Sequence, residues 1–151
     1  MRFVCVGDGT DGYRDELERL GRSLGLGDRV VWAPAQSDMR AVYNALDVFC
    51  SSSAGEAFPN VIAEAMACGI PAVVTDVGDS AFILGRPQLV VPPGEPDALA
   101  ERLAFLLARD DATLAEIRAE SRDRIVTHFS VPRLIDSTEE ALLQLVRPRA
   151  L

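Results

Sequence analysis

Two glutamates, Glu56 and Glu64, are the residues whose types and spacing most clearly indicate chemistry in this chain of 151 residues. They flank the predicted start of a helix near Asn60. The first turn of a helix presents unpaired backbone N–H groups and a partial positive charge, which suit phosphates and sugar hydroxyls. The pattern therefore predicts a site for a polar ligand. The alternative is structural, with Glu56 a loop charge near a helix start and Glu64 a solvated helix residue.

A glycine cluster near the start of the chain is a second candidate site. The segment from Gly7 to Gly12, GDGTDG, follows a predicted strand, precedes a predicted helix and spells G-x-G-x-x-G. A dinucleotide fingerprint also needs an acidic residue about 20 positions further on, at the end of the next strand. That strand instead runs into Ala33 and Pro34. The NAD-binding interpretation is therefore disfavoured, and a plain tight turn with glycine at positive φ stays open.

The elements that position these residues are predicted from short apolar runs alternating with longer amphipathic stretches, a pattern typical of βα units and a parallel sheet. The predicted strands are 2–6, 29–32, 48–51, 72–75 and 89–91. The predicted helices are 13–24, 38–45, 60–67, 96–108, 111–127 and 131–145. Asp76, Val77 and Gly78 follow a strand near the crevice where open α/β sheets bind ligands. Asp79 and Ser80 are expected to cap the next short helix.

Composition excludes several classes of function. The net charge of −8 argues against nucleic acid binding, which needs a basic patch. No apolar run approaches the roughly 20 residues of a membrane span, and the first residues predict a strand rather than a signal peptide, so we expect a cytoplasmic protein. The sequence has no Asp-x-Asp and no ligand cluster, so we expect no metal and no cofactor. Cys5, Cys50 and Cys68 are expected to be reduced core residues.

The sequence around the two glutamates resembles that of the group 1 family of retaining glycosyltransferases. This stretch reads GEAFPNVIAEAMACGIPAVVTDVG. The resemblance continues through VCVGDG, GLGDRVVWAP, MRAVYNALDVFCSSS, VVPPGEPDALAERLAFLL and HFSVPRLID, which together cover nearly the whole chain. It implies the second, donor-binding domain of a GT-B enzyme: a Rossmann-like parallel α/β sheet with helices on both faces. Residues 1–109 would form the βα core and residues 110–151 a helical carboxyl-terminal tail. The family's first strand and helix, which carry an Arg and a Lys that contact the donor diphosphate, are expected to be missing.

The resemblance also implies roles for individual residues. Glu56 would lie beside the transferred sugar as the catalytic residue, and Glu64 would accept hydrogen bonds from the ribose hydroxyls of the nucleotide. The other implied donor-binding residues are Gly7 and Gly9, in the turn facing the nucleotide cleft, and Ala57, Phe58 and Asn60, through their backbone amides. Pro59 is expected at the first helical position. The connection from Ala33 to Ser37 would line the base, or else Ser37 would cap the following helix; both alternatives stay open.

The implied activity is retaining transfer of a hexosyl unit from a nucleotide-sugar to a glycan or lipid-linked acceptor, in polysaccharide biosynthesis. The acceptor would bind a missing amino-terminal domain, so this chain alone is expected to be inactive. The resemblance allows peripheral membrane association of the parent enzyme, and unpaired sheet edges allow self-association. The alternative is a non-catalytic nucleotide-binding or interaction module, or a gene fragment without activity. An epimerase of the same fold has no distinguishing residue in its favour.

Overall fold

The structure is a computed structural model that describes residues 1–9 and 12–146. By its internal contacts the chain divides into two compact units, unit 1 from Met1 to Val42 and unit 2 from Tyr43 onward. Unit 1 contains strands β1 (Phe3–Val6) and β2 (Val30–Ala33) and helix α1 (Tyr13–Ser23). Helix α2 (Met39–Asn44) crosses the boundary.

Unit 1 is built on a parallel pair of strands. Phe3 of β1 pairs with Val30 of β2, and the register continues to Val6 with Ala33. The guanidinium of Arg14 on α1 lies 5.7 Å from the centre of the Trp32 ring. None of the described residues of unit 1 is buried. This unit therefore has little hydrophobic burial of its own to stabilise it.

Unit 2 is a βα layer followed by two long helices. Its strands are β3 (Phe49–Ser51), β4 (Ala72–Thr75) and β5 (Val90–Val91), which form one parallel sheet in the order β3-β4-β5. Its further helices are α3 (Asn60–Ala67), α4 (Ser80–Leu84), α5 (Pro96–Leu107), α6 (Asp111–His128) and α7 (Val131–Val146).

The core of unit 2 lies around its central strand. All four residues of β4 are buried, which means that both faces of this strand are covered. Helices α3, α4 and α5 all contact β4, and α6 packs on α3. The fully buried side chains include Ile62, Met66, Val73, Val74, Ile83, Leu84, Leu89 and Leu106. Burying side chains of this size contributes roughly 1.5–3 kcal/mol each, so α3 and β4 are fixed firmly beneath the candidate site.

The predicted α/β class, the parallel pairing and the helical tail are confirmed by the structure. All the predicted strands and helices occur, and the bounds of β4 and α3 are those expected. The described strands form two sheets, β1-β2 and β3-β4-β5. Helix α6, which begins the predicted tail, belongs to unit 2 by its packing on α3.

The expectation that all three cysteines are core residues is wrong. Cys5 and Cys50 are exposed and Cys68 is half-buried, although all three are free thiols. Cys5 lies on β1 in unit 1, where none of the described residues is buried. Cys50 points to the opposite face of β3 from the buried Ser51, because side chains alternate along a strand.

Within the described ranges, no helix combines the length and the apolar character that a membrane span requires.

Candidate functional site: the loop before helix α3

The loop from Ser52 to Pro59 joins β3 to α3 and carries the first of the two glutamates. The hydroxyl of Thr75, at the end of β4, donates a hydrogen bond of 2.6 Å to the carbonyl oxygen of Ser53. The hydroxyl of Ser53 in turn donates to Oε1 of Glu56 at 2.8 Å. The buried sheet therefore fixes the loop, and the loop fixes the direction of an exposed carboxylate.

Pro59 stands at the N-cap of α3, with φ −75° and ψ 92°, and the helix begins at Asn60. It was expected one position later, at the first helical residue. Its extended ψ excludes it from the helix, while its fixed φ still leads the chain into the first turn. Pro59 is buried, so the loop enters the helix along a defined path.

The backbone amides at this end of α3 are available to a ligand. Among the residues that the structure describes, the N–H groups of Ala57, Phe58 and Asn60 donate to no backbone or side-chain acceptor. All three residues are exposed. Unpaired donors at a helix start attract anions and hydroxyl groups. The loop thus offers three hydrogen-bond donors next to the carboxylate of Glu56.

Glu64 lies on α3 with its side chain exposed. Its Oε2 accepts a hydrogen bond of 2.7 Å from the hydroxyl of Tyr43, a residue only 3% exposed. Burial, and then the hydrogen bond to Glu64 and its negative charge, raise the pKa of Tyr43 well above its usual range. Tyr43 is therefore a neutral donor that holds one oxygen of Glu64 and leaves the other for a ligand.

The far end of α3 is held by α6. The guanidinium of Arg122 donates to the carbonyl of Ala67, one of the last carbonyls of α3, which have no intrahelical partner. Gly69 follows the helix at φ 76°, and a Cβ at this position would lie 3.7 Å from the carbonyl oxygen of Arg118 on α6. With both ends anchored, α3 presents its first turn on a rigid support.

The glycine cluster lies in unit 1. Gly7 has φ 136°, and its N–H donates to the Ala33 carbonyl at 3.1 Å. Gly9 has no positive φ, and Thr10 and Asp11 of the cluster lie outside the described residues. Gly7, the first residue of the cluster, is thus held against the end of β2.

The connection from Ala33 to Ser37 also contacts Asp8, since Oδ1 of Asp8 accepts a hydrogen bond from the Ala35 amide at 3.3 Å. Ser37 was one candidate for capping the next helix. The cap is Asp38 instead, because its Oδ1 accepts from the Ala41 amide at 3.0 Å.

The side chains expected to cap α4 do not do so. Asp79 is the N-cap residue by position, but its carboxylate makes no capping hydrogen bond. The hydroxyl of Ser80 is fully buried and has no partner in the described part of the chain. The backbone of Asp79 has a different role, since its amide donates to the Ala57 carbonyl at 2.9 Å.

Sequence analysis did not single out Tyr43, Ser53 or Thr75 as parts of this site. A serine three positions before a loop glutamate is a weak local signal for Ser53. Tyr43 and Thr75 approach the site from other elements, and no local pattern indicates their contacts. Within residues 1–9 and 12–146, no group of three or more His, Cys, Asp or Glu side chains is placed to hold a metal ion.

The fold matches that of a known class of protein, the GT-B glycosyltransferases. Residues 1–109 match the family described as Glycosyl transferases group 1. The chain belongs to this family.

The curated relatives agree with this assignment. The chain is 34% identical to an exopolysaccharide phosphotransferase of Streptomyces coelicolor. The aligned region covers 98% of this chain and 16% of that protein. It is also 34% identical to LpsE, a lipopolysaccharide core biosynthesis glycosyltransferase of Rhizobium meliloti. This aligned region covers 93% of this chain and 40% of LpsE. The chain thus spans less than half the length of either protein.

Solved structures give the same fold. The chain resembles HepE of Anabaena with a TM-score of 0.85 and 27% identity, covering 95% of this chain and 41% of HepE. HepE has been solved in complex with UDP and in complex with UDP-glucose.

Proposed function

We propose that unit 2 binds the donor of a retaining hexosyltransferase that uses a nucleotide-sugar in polysaccharide biosynthesis. The observation that carries the proposal is the set of unpaired amides at Ala57, Phe58 and Asn60 beside the exposed carboxylate of Glu56. Donors of this kind suit the diphosphate and the sugar hydroxyls of such a ligand. Family membership supplies the reaction class.

In this proposal Glu64 accepts hydrogen bonds from the ribose. Its Oε2 is already held by Tyr43, so the ribose hydroxyls meet a carboxylate that is fixed in direction. A fixed acceptor loses less conformational entropy on binding than a free glutamate side chain does. The ligand found with HepE, UDP, contains a ribose of the kind required.

Glu56 is proposed as the catalytic residue next to the transferred sugar. The hydrogen bond from Ser53 orients its carboxylate, and a carboxylate held in one direction can stabilise positive charge that develops on the sugar. The departing diphosphate would be stabilised by the amides at the start of α3 rather than by a metal ion. The donor-binding role of Gly7 and Gly9, which lie in unit 1, stays a prediction.

The acceptor, a glycan or a lipid-linked glycan, is proposed to bind a domain outside this chain. This chain spans 41% of HepE and 40% of LpsE, so most of each relative has no counterpart here. We therefore expect binding without transfer by this chain alone, because acceptor positioning supplies about 7–11 kcal/mol of barrier reduction in favourable cases. A non-catalytic nucleotide-binding module is the second candidate, favoured by the same short coverage.

The proposal is tested by calorimetric titration of the chain with UDP, GDP and ADP, with and without magnesium. Saturable binding of one nucleotide, unchanged by magnesium, is the expected result. Glu64→Gln should weaken that binding by about 1–3 kcal/mol, the range for a hydrogen bond to a charged group. Glu101→Gln, an exposed change on α5, is the matched control and should leave it unchanged. A folded chain that binds none of the three would refute the proposal.

Catalysis is separated from binding by adding the amino-terminal domain of a relative, such as HepE, as a separate polypeptide. Restored sugar transfer, lost again in Glu56→Gln, would support the transferase. Binding that never gives transfer with any such partner would favour the non-catalytic module.

A further inference from the structure

The turn after β4 lies directly against the loop that precedes α3. Gly78 has φ 52°, a left-handed conformation that favours glycine. A Cβ at Gly78 would overlap the carbonyl oxygens of both Glu56 and Ala57 and lie 2.8 Å from the Glu56 carbonyl carbon. Those atoms are backbone, so they cannot rotate away as a flexible side chain would.

Asp79, the residue after Gly78, orients the backbone of the loop through a hydrogen bond. The amide of Asp79 donates to the Ala57 carbonyl at 2.9 Å. This bond fixes the plane of the peptide that follows Ala57, and the N–H of that peptide belongs to Phe58. The orientation of one of the proposed ligand-binding amides is therefore set by the β4-α4 turn.

Two further tethers act on the same loop. The Thr75 hydroxyl holds the Ser53 carbonyl at its start. At its end, the Phe58 ring lies 6.2 Å from the ring of Phe129, which also packs edge-on against Phe82 at 5.5 Å. The loop is thus held at its beginning, middle and end, and Gly78 lies at the middle contact.

We propose that Gly78 is a positioning residue of the donor site: by lacking a side chain it lets the β4-α4 turn lock the Glu56–Ala57 backbone, and this lock aims the amides that receive the donor diphosphate. This inference rests on the proposed function. It adds to that function a residue that touches no ligand but determines the geometry of the groups that do. Groups in a functional site must be held within about 0.5 Å of their productive positions, and a Cβ here displaces two carbonyls at once.

The test is Gly78→Ala, with Gly94→Ala as its control. Gly94 also has a positive φ, 81°, but a Cβ there meets nothing within 4 Å. Both variants carry the backbone strain of a non-glycine residue, and only Gly78→Ala also pushes on the loop. Urea unfolding verifies that both variants are folded.

The first measurement is the amide spectrum of the chain without ligand. We expect Gly78→Ala to shift the signals of Ala57, Phe58 and Asn60 and to speed hydrogen exchange at Asp79. Gly94→Ala should leave those signals in place. Unchanged loop signals in Gly78→Ala would overturn the inference, whether or not the chain binds nucleotide.

The second measurement is affinity for the nucleoside diphosphate that the wild-type chain binds. Gly78→Ala should bind roughly tenfold more weakly, since the misplaced amides no longer meet the diphosphate. Wild-type affinity in Gly78→Ala would overturn the positioning role. If the wild-type chain binds no nucleotide, the proposed function fails, and with it the donor-site role of Gly78, while the apo spectra still decide whether Gly78 positions the loop.

A second pair of variants covers the case in which Gly78→Ala does not fold. Thr75→Val removes the hydroxyl that holds the Ser53 carbonyl but keeps the shape of this buried side chain. Thr75→Ser keeps the hydroxyl. We expect nucleotide affinity to fall severalfold in Thr75→Val and to remain near wild type in Thr75→Ser. Equal affinities in these two variants would overturn the view that tethers from β4 position the loop.

Discussion

The hydroxyl of Tyr43 donates a 2.7 Å hydrogen bond to Oε2 of Glu64, from a position that is almost completely buried. A ring hydroxyl on α2 thereby sets the direction of a carboxylate on α3. The ring of Tyr43 is itself held edge-on against Phe49 at a centroid distance of 6.0 Å. This pair links the hydrophobic interior of unit 2 to its exposed candidate site.

Tyr43→Phe should weaken nucleoside diphosphate binding about fivefold, because losing one hydrogen bond that orients Glu64 costs about 1 kcal/mol. Calorimetry measures the change. Tyr13→Phe is the matched control, since Tyr13 on α1 is 57% exposed and donates no hydrogen bond in the described chain. Equal affinities for Tyr43→Phe and wild type would show that Tyr43 does not help to position Glu64.

The same contact predicts how stability depends on pH. Burial first, and then Glu64, raise the pKa of Tyr43 above its ordinary value of 10.0. The unfolded chain ionises this phenol first as pH rises, so the stabilisation from Tyr43 is complete well below pH 10.0 and declines as the pH rises through that value. We expect the difference in unfolding free energy between wild type and Tyr43→Phe to shrink from about pH 9 to about pH 11. Urea titrations at each pH measure it, and a constant difference would contradict the prediction.

Ser53→Ala should lower the affinity for the nucleotide-sugar but not the affinity for the nucleoside diphosphate. Ser53 donates to Glu56, which we place beside the transferred sugar. We expect affinity for UDP-sugar or its equivalent to fall by about 1 kcal/mol, the typical value of one hydrogen bond, while affinity for the nucleoside diphosphate stays the same. Ser52→Ala, at an exposed neighbouring residue, is the control. An equal loss of affinity for both ligands would argue against this role of Glu56.

Arg124→Ala should destabilise unit 2 without changing the ligand preference. Nε of Arg124 donates to the Ile83 carbonyl at 2.8 Å, and its Nη2 donates to the Phe82 carbonyl, so it satisfies the last carbonyls of α4. Losing these charge-assisted bonds should lower the free energy of unfolding by about 2 kcal/mol. Arg118→Ala, exposed on the same helix, should change it by less than about 0.5 kcal/mol. Urea unfolding compares the two variants, and similar losses would refute the capping role.

Self-association is expected through the edge of β1. Among the described strands β1 pairs only with β2, and an unpaired strand edge can accept a strand of another molecule. We expect sedimentation coefficients that rise with protein concentration, and a monomer for Val4→Lys, since charge on an edge strand opposes pairing. Val126→Lys, on the exposed face of α6, should behave as wild type. A wild-type monomer at all concentrations would contradict this prediction.

The parts of the fold that were predictable are those with a local cause. The strand from Ala72 to Thr75 was predicted with its observed bounds because a short apolar run between Pro71 and Asp76 has few other conformations open to it. Helix α3 was also predicted with its observed bounds, directly after the proline that leads the chain into it. The failures concern helix caps and burial. Asp79 precedes α4 as expected but makes no capping hydrogen bond. Cys5 and Cys50 lie on strands as expected, but whether a strand face is covered depends on other elements.

The sequence by itself determined the family, the order of helices and strands, and the location of Glu56 and Glu64 around the start of α3. Periodicity, turn residues and motif spacing are local properties, and they suffice for these conclusions. Only the tertiary structure decided which groups hold those glutamates and the loop between them. The contacts of Tyr43 with Glu64 and of Gly78 with Ala57 join residues 21 positions apart in each case. They exist because α3 and β4 pack against a common core, which no local pattern specifies.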